Sequence, residues 1–176
     1  MNETLLATSS LKTPLGEMYL VAGEQGVCSL EYCDSTPLAD ELASLAKYLG
    51  KYRLSDQSPH IELAKDELVR YFNGDLQTFA TPLWLIGTPF QQQVWRALQT
   101  IAYGETLSYG AQAERINNPK AVRAVARANG QNRISIIIPC HRVIGSDGSL
   151  TGYAGGLSRK AWLLEYEQAV KHNPRS

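Results

Sequence analysis

Midway along the 176-residue chain, Thr88-Pro89-Phe90-Gln91 has the makings of a helix start and little else. A Thr hydroxyl can cap free backbone N–H groups, a Pro at the first helical position needs no N–H, and a Gln three residues after the cap closes a capping box. Pro82 and Gly87 lie just before it, so the chain is expected to finish one packed unit and begin another here. The predicted division is a supporting domain over residues 1–86 and a second domain over 87–176, each large enough for one small core.

Charge divides at the same place. The chain is neutral overall, with 17 basic and 17 acidic residues, yet residues 1–86 carry 6 basic against 12 acidic and residues 87–176 carry 11 against 5. Attraction to a polyanion depends on local charge, so the second half is the one expected to face nucleic acid. The competing reading is chance clustering on solvated faces. No run of 18 apolar residues occurs, and Met1-Asn2-Glu3-Thr4 has neither the basic nor the apolar stretch of a secretory leader; a cytoplasmic protein with no membrane association is expected. Three cysteines, Cys28, Cys33 and Cys140, suit neither a disulfide framework nor a four-ligand zinc site, and His60 is a distant companion, so no metal is expected.

In the first half, Met18 to Ala22 and Val27 to Tyr32 are β-rich runs joined by a glycine-bounded turn, Gly23 to Gly26, and read as a hairpin. Leu38, Leu42, Leu45 and Leu49 recur at helical spacing, as do Ile61, Ala64, Leu68 and Phe72 before Asn73-Gly74. A small α+β unit is predicted. In the second half, Phe90, Val94, Leu98 and Ile101 share one helical face that Tyr103-Gly104 should end. Two short helices are predicted next, Ser108 to Ile116 and Pro119 to Asn129, with a turn at Asn117-Asn118 and Gly130 as the stop. That is the outline of a helix-turn-helix. Its second helix sets Lys120, Arg123 and Arg127 among Ala121, Ala124, Ala126 and Ala128, slim enough to approach a groove and basic enough to hold phosphate. An alanine-rich packed helix with solvated arginines fits the same letters.

Ile134-Ser135-Ile136-Ile137-Ile138 reads as a short buried strand, and Cys140 follows directly after Pro139. A nucleophilic cysteine needs a nearby cation or base, and Cys140-His141-Arg142 offers both kinds. Side chains of neighbouring residues on an extended segment point apart, so a water is expected to bridge His141 and the sulfur. A base is oriented by a carboxylate, and Asp147, Glu165 and Glu167 are the downstream candidates; spacing leaves the choice open. A buried inert thiol beside a structural histidine is the alternative.

The string Ile138-Pro139-Cys140-His141-Arg142-Val143-Ile144-Gly145 resembles the active-site motif of the O6-alkylguanine-DNA alkyltransferases. Thr88 to Trp95, Ser108-Tyr109-Gly110, Ala121 to Val125, Asn129 to Asn132, and Thr151 to Leu157 on through Lys160, Trp162 and Leu163 match the same family in order. The likeness is close over residues 87–176 and loose before them, through Thr13 to Gly16. It implies a ribonuclease H-like first domain followed by a winged helix-turn-helix-like catalytic domain. It further implies direct repair of double-stranded DNA by a monomer without a cofactor. O6-alkylguanine, and O4-alkylthymine as well, would be flipped out and lose the alkyl group irreversibly to Cys140, one turnover per protein.

By the same resemblance Glu167, His141 and a water form the relay to Cys140, Asn132 braces it, and Tyr109 donates to the departing base. Arg123 fills the gap left by the flipped nucleotide, with Ala121, Ala124, Arg127, Lys120 and Tyr109 against DNA. Tyr153, Ala154, Val143, Lys160, Gly155 and Gly156 line the base pocket. Arg127 and Arg133 depart from the family pattern, which touches DNA affinity and loop conformation. The acceptor is cysteine, unlike relatives that only sense alkylated bases. A non-catalytic helix-turn-helix or lesion-sensing protein is the competing expectation, and a cysteine hydrolase is disfavoured because only His60 and His172 remain as other bases.

Overall fold

The computed structural model describes residues 3–172. Met1 and Asn2, part of the segment expected to carry no leader, lie outside them. The architecture is α+β, in two compact units that meet in sequence between Gly87 and Thr88.

The first unit is built on a four-stranded sheet. β1 (Thr4–Thr13), β2 (Gly16–Gly23) and β3 (Gly26–Tyr32) form an antiparallel meander, and β4 (Tyr52–Ser55) pairs in parallel with β1, giving the order β3-β2-β1-β4. The expected hairpin is β2–β3. β1 and β4 lie beyond the expected hairpin, and their apolar residues are diluted by Thr, Ser, Lys and Arg. Two helices, α1 (Leu38–Leu49) and α2 (Pro59–Phe72), follow the predicted periodicity. Leu42 and Leu45 of α1 pack on Leu6, Tyr19, Val21 and Cys28. Lys65 of α2 instead reaches Ser9, whose side chain points away from that of Leu6 by the strand alternation, so the helices cover opposite faces. Every residue of β3 is consequently buried. Its outer edge is covered by the segment at Pro82–Trp84, through Val27 N–H to Pro82 O (2.9 Å) and Trp84 N–H to Val27 O (2.8 Å).

The second unit opens with α3 (Pro89–Leu98). Its capping box is complete: Thr88 Oγ1 accepts from Gln91 N, and Gln91 Oε1 accepts from Thr88 N. The helix stops at Leu98 rather than running to Tyr103-Gly104. Ile101 is buried as expected, but a series of tightened turns closing three residues back carries it there. Next come β5 (Leu107–Ser108), α4 (Tyr109–Arg115), α5 (Val122–Gly130), β6 (Val143–Ile144), parallel to β5, and α6 (Leu157–His172). Among the described residues, no helix is long and apolar enough to cross a membrane.

Three local expectations are corrected. α5 begins at Val122 instead of Pro119, because Ala121 N–H closes a turn on Asn118 O and Ala121 itself is the cap. Gly130 is the last helical residue, and Gln131 caps the end without a left-handed backbone. Ile134 to Ile138 is no strand. It is a buried coil of turns, with Ile136 at φ 70°, held because Asn132 Oδ1 accepts from Ile134 N (3.0 Å) while Asn132 Nδ2 donates to Ile138 O (2.8 Å). Continuous apolarity signalled burial there and could not specify extension.

Candidate active site

Cys140 opens a single 3-10 turn, Cys140–Arg142, that follows the Asn132-tied coil. The sulfur therefore leaves a turn and not the end of a strand, and the premise that placed Cys140 and His141 on opposite faces of an extended segment fails. Asn132 Nδ2, already bonded to Ile138 O, also points at Cys140 Sγ at 3.3 Å. An N–H aimed at sulfur favours the thiolate over the thiol.

His141 is fully buried. Its Nε2 lies 2.8 Å from Glu167 Oε2. Among the described residues nothing hydrogen-bonds its Nδ1. Of the three candidate carboxylates, Asp147 and Glu165 are exposed and Asp147 is engaged with Ser149, which leaves Glu167 as the partner. Burial alone would raise the Glu167 carboxyl, but His141 and Arg142 hold it well below the ordinary carboxylate range. Burial lowers His141 against the opposing pull of Glu167, with Arg142 and Lys160 adding to the lowering. An ionised carboxylate accepts only, so Nε2 carries the hydrogen and Nδ1 keeps its lone pair.

Sequence adjacency offered Arg142 as a cation for the thiol. Its guanidinium turns instead to Glu167, with Nε 2.8 Å from Oε1 and Nη2 3.0 Å from Oε2. The buried cation coupled electrostatically to Cys140 is Lys160, lowered by its burial and supported by the cysteine. Lys160 Nζ donates to Thr151 O (2.7 Å) and Gly152 O (3.2 Å) and lies 5.9 Å from the Tyr109 ring centroid. Tyr109 Oη donates to Thr151 O at 2.8 Å. These bonds hold Thr151 and Gly152 of the glycine-rich loop, which line the same cavity as Cys140.

Cys140 is 7% exposed and opens on a cavity of about 580 Å³. Tyr109, Arg123, Cys140, Tyr153 and Ala154 line it together. A nucleophile with an orienting base, an aromatic hydroxyl and an arginine from a neighbouring helix suit transfer of a small group from a planar base.

The family models for "6-O-methylguanine DNA methyltransferase, ribonuclease-like domain" and "6-O-methylguanine DNA methyltransferase, DNA binding domain" match residues 6–85 and 89–169. A Shigella flexneri protein named "Methylated-DNA--protein-cysteine methyltransferase" is 41% identical over 165 residues, which span 92% of this chain and 95% of that one. The chain belongs to this methyltransferase family. A namesake from Mycolicibacterium paratuberculosis is 57% identical over 113 residues, 64% of this chain and 67% of its own. Among solved structures, Mycobacterium tuberculosis O6-methylguanine methyltransferase aligns with a TM-score of 0.80 at 41% identity over 93% of both chains. Mycobacterium tuberculosis OGT in complex with DNA aligns with a TM-score of 0.78 at 42% identity, covering 94% of this chain and 93% of that one.

Within this methyltransferase fold, Arg123, Ala124 and Arg127 are exposed on α5. Lys120 is exposed and Ala121 half-buried in the turn before it, so neither projects from the helix. Four expected pocket residues are not in the cavity wall. Val143 is fully buried in β6, Lys160 sits beneath the loop, and Gly155 and Gly156 turn the chain into α6. The wall takes Val122, Ala126, Asn129 and Gly130 from α5 and Thr151 and Gly152 from the loop. Half-buried Val122 and Ala126, buried Asn129 and exposed Gly130 share this wall, so the division of α5 into a buried and an exposed face does not single them out. Cys28 is buried, donating to Val21 O, and Cys33 is exposed.

Proposed function

We propose that this protein reverses DNA alkylation directly, moving the alkyl group of O6-alkylguanine in duplex DNA onto Cys140. The observation that carries the reading is the Asn132–Cys140 contact beside a His141–Glu167 pair, opening on a cavity that Arg123 of α5 also lines. The Cys140 proton passes to His141 Nδ1 through a bridging water, and the imidazolium formed is stabilised by Glu167. The sulfur attacks the alkyl carbon in line, the carbon–O6 bond breaks, and its electron pair leaves with guanine. Tyr109 Oη, released from Thr151 O when the base enters, donates to the departing purine, and a proton equivalent to the one lost by the thiol ends on it. Asn132 braces the nucleophile throughout.

Reaching the base requires its extrusion from the stack. Arg123 takes its place in the duplex, while Ala121, Ala124, Lys120 and Arg127 meet the backbone. Tyr153 and Ala154 flank the purine, Lys160 with Gly155 and Gly156 holds the loop, and Val143 supports the floor. O4-alkylthymine presents the same alkyl–oxygen bond and is a second substrate. The thioether product is stable, so each molecule acts once, with no cofactor. Residues 87–176 constitute the DNA-binding and transfer domain and residues 1–86 its support, in a cytoplasmic monomer.

The test is intact-protein mass after mixing with a duplex containing O6-methylguanine. A gain of one methyl group, mapped to Cys140, is expected; unchanged mass removes the proposal, as would equal gain in Cys140→Ala.

A further inference from the structure

Arg142 is almost wholly buried, and a guanidinium withdrawn from water is destabilising unless its donors are matched. Here they are matched in a specific way. Nε and Nη2 clamp both oxygens of Glu167, Nη1 donates to Ile101 O at 2.7 Å, and the guanidinium carbon lies 5.5 Å from the Tyr103 ring centroid. Resting on the alkyl-transfer reading above, we infer that Arg142 is a positioning residue: it keeps Glu167 an anion and so decides which nitrogen of His141 is left to accept the Cys140 proton.

Donors and acceptors around Glu167 decide this. Glu167 is fully buried, and burial by itself favours the neutral acid. A neutral carboxyl can donate to His141 Nε2, which would leave the ring hydrogen on Nδ1, facing away from Glu167 and unable to take a proton. An anionic Glu167 can only accept, from His141 Nε2, from both Arg142 nitrogens and from Gly104 N (3.4 Å). Nδ1 is then the basic atom.

The other titratable groups around the pair do not supply this. Tyr103, from the segment after α3, is pushed up by burial and by Glu167, and stays neutral. Tyr166 lies on α6 with Glu167. Lys160, also on α6, is cationic but is committed to the Thr151 and Gly152 carbonyls. An arginine keeps its charge at every working pH and matches a carboxylate bidentately, which Lys cannot do.

Methyl transfer to Cys140 from O6-methylguanine duplex should be followed against pH in wild type, Arg142→Met and Arg142→Lys, alongside nitrogen NMR of His141 in the wild type. Arg142→Met is expected to lose about 100-fold in rate near neutrality, the lower end of what a positioned base contributes, and to regain rate as rising pH ionises the thiol unaided. Arg142→Lys should recover part of the neutral rate. The wild-type ring should carry its hydrogen on Nε2. A wild-type pH profile in the Met variant overturns the inference, and so does a wild-type His141 with hydrogen on Nδ1, a measurement that stands even if the Met variant fails to fold. Wild type that accepts no methyl group removes the alkyl-transfer reading itself; wild type that accepts it while the Met profile is unchanged removes only the role of Arg142.

Discussion

At the scale of single residues, the site works by withholding water from charged groups that have been given specific partners. Glu167 and His141 shift downward together, and both shifts have the same consequence for stability. His141 is held neutral in the fold, so the unfolded chain binds its proton first, and stability is lost as pH falls through the ordinary histidine value of 6.5. Glu167 adds stability that is full above the ordinary value of 4.5 and drains away below it, toward its depressed folded value. Melting temperature should therefore decline on acidification in two stages. Replacing His141 with Asn should flatten the first stage, measured by thermal melts across pH; an unaltered slope around 6.5 would show that His141 is not the group responsible.

Between α4 and α5, the contact is set by a pair of amides. Gln112 Nε2 donates to Asn129 Oδ1 at 2.8 Å and Asn129 Nδ2 returns a bond to Gln112 Oε1 at 2.7 Å, both buried. Trp95 of α3 adds an indole bond to Ala128 O at 2.9 Å. The two helices are thereby locked in register, and Asn129 is also part of the cavity wall. Gln112→Ala leaves a buried amide unpaired, which should cost roughly 1–3 kcal/mol of unfolding free energy. Denaturant titration measures this, and a loss well under 1 kcal/mol would mean that the pair contributes little to holding α4 against α5.

For the molecule as a whole, the relevant electrical fact is the opposition of its halves, −6 for residues 1–86 and +6 for 87–176. A neutral protein of this kind should still bind duplex DNA with strong salt dependence, because counterions are released where basic side chains of the second half, with Lys120 and Arg127 proposed among them, meet phosphate and not in proportion to net charge. With two to four such contacts, affinity should fall about 10- to 100-fold between roughly 50 and 200 mM salt. Fluorescence anisotropy with an unmodified duplex measures it, and affinity indifferent to salt would deny these side chains a phosphate role.

What the sequence determined unaided was local and chemical. The Thr88–Gln91 cap, the α1 and α2 periodicities, the β2–β3 hairpin and the motif around Cys140 are all written in neighbouring residues, because capping, amphipathic spacing and nucleophile–base adjacency act over a few positions. Folding alone decided what depends on distant partners. β4 is a strand because β1 lies beside it, each residue pairing with one 48 positions away, as Thr4 does with Tyr52 and Ala7 with Ser55, and its own four residues are too few to signal a strand by themselves. Ile134 to Ile138 is a coil because one Asn side chain bonds across it. Glu167, not Asp147 or Glu165, orients His141, and Arg142 faces that carboxylate and not the neighbouring sulfur, because a buried charge goes where its donors and acceptors are met, and only tertiary packing sets where that is.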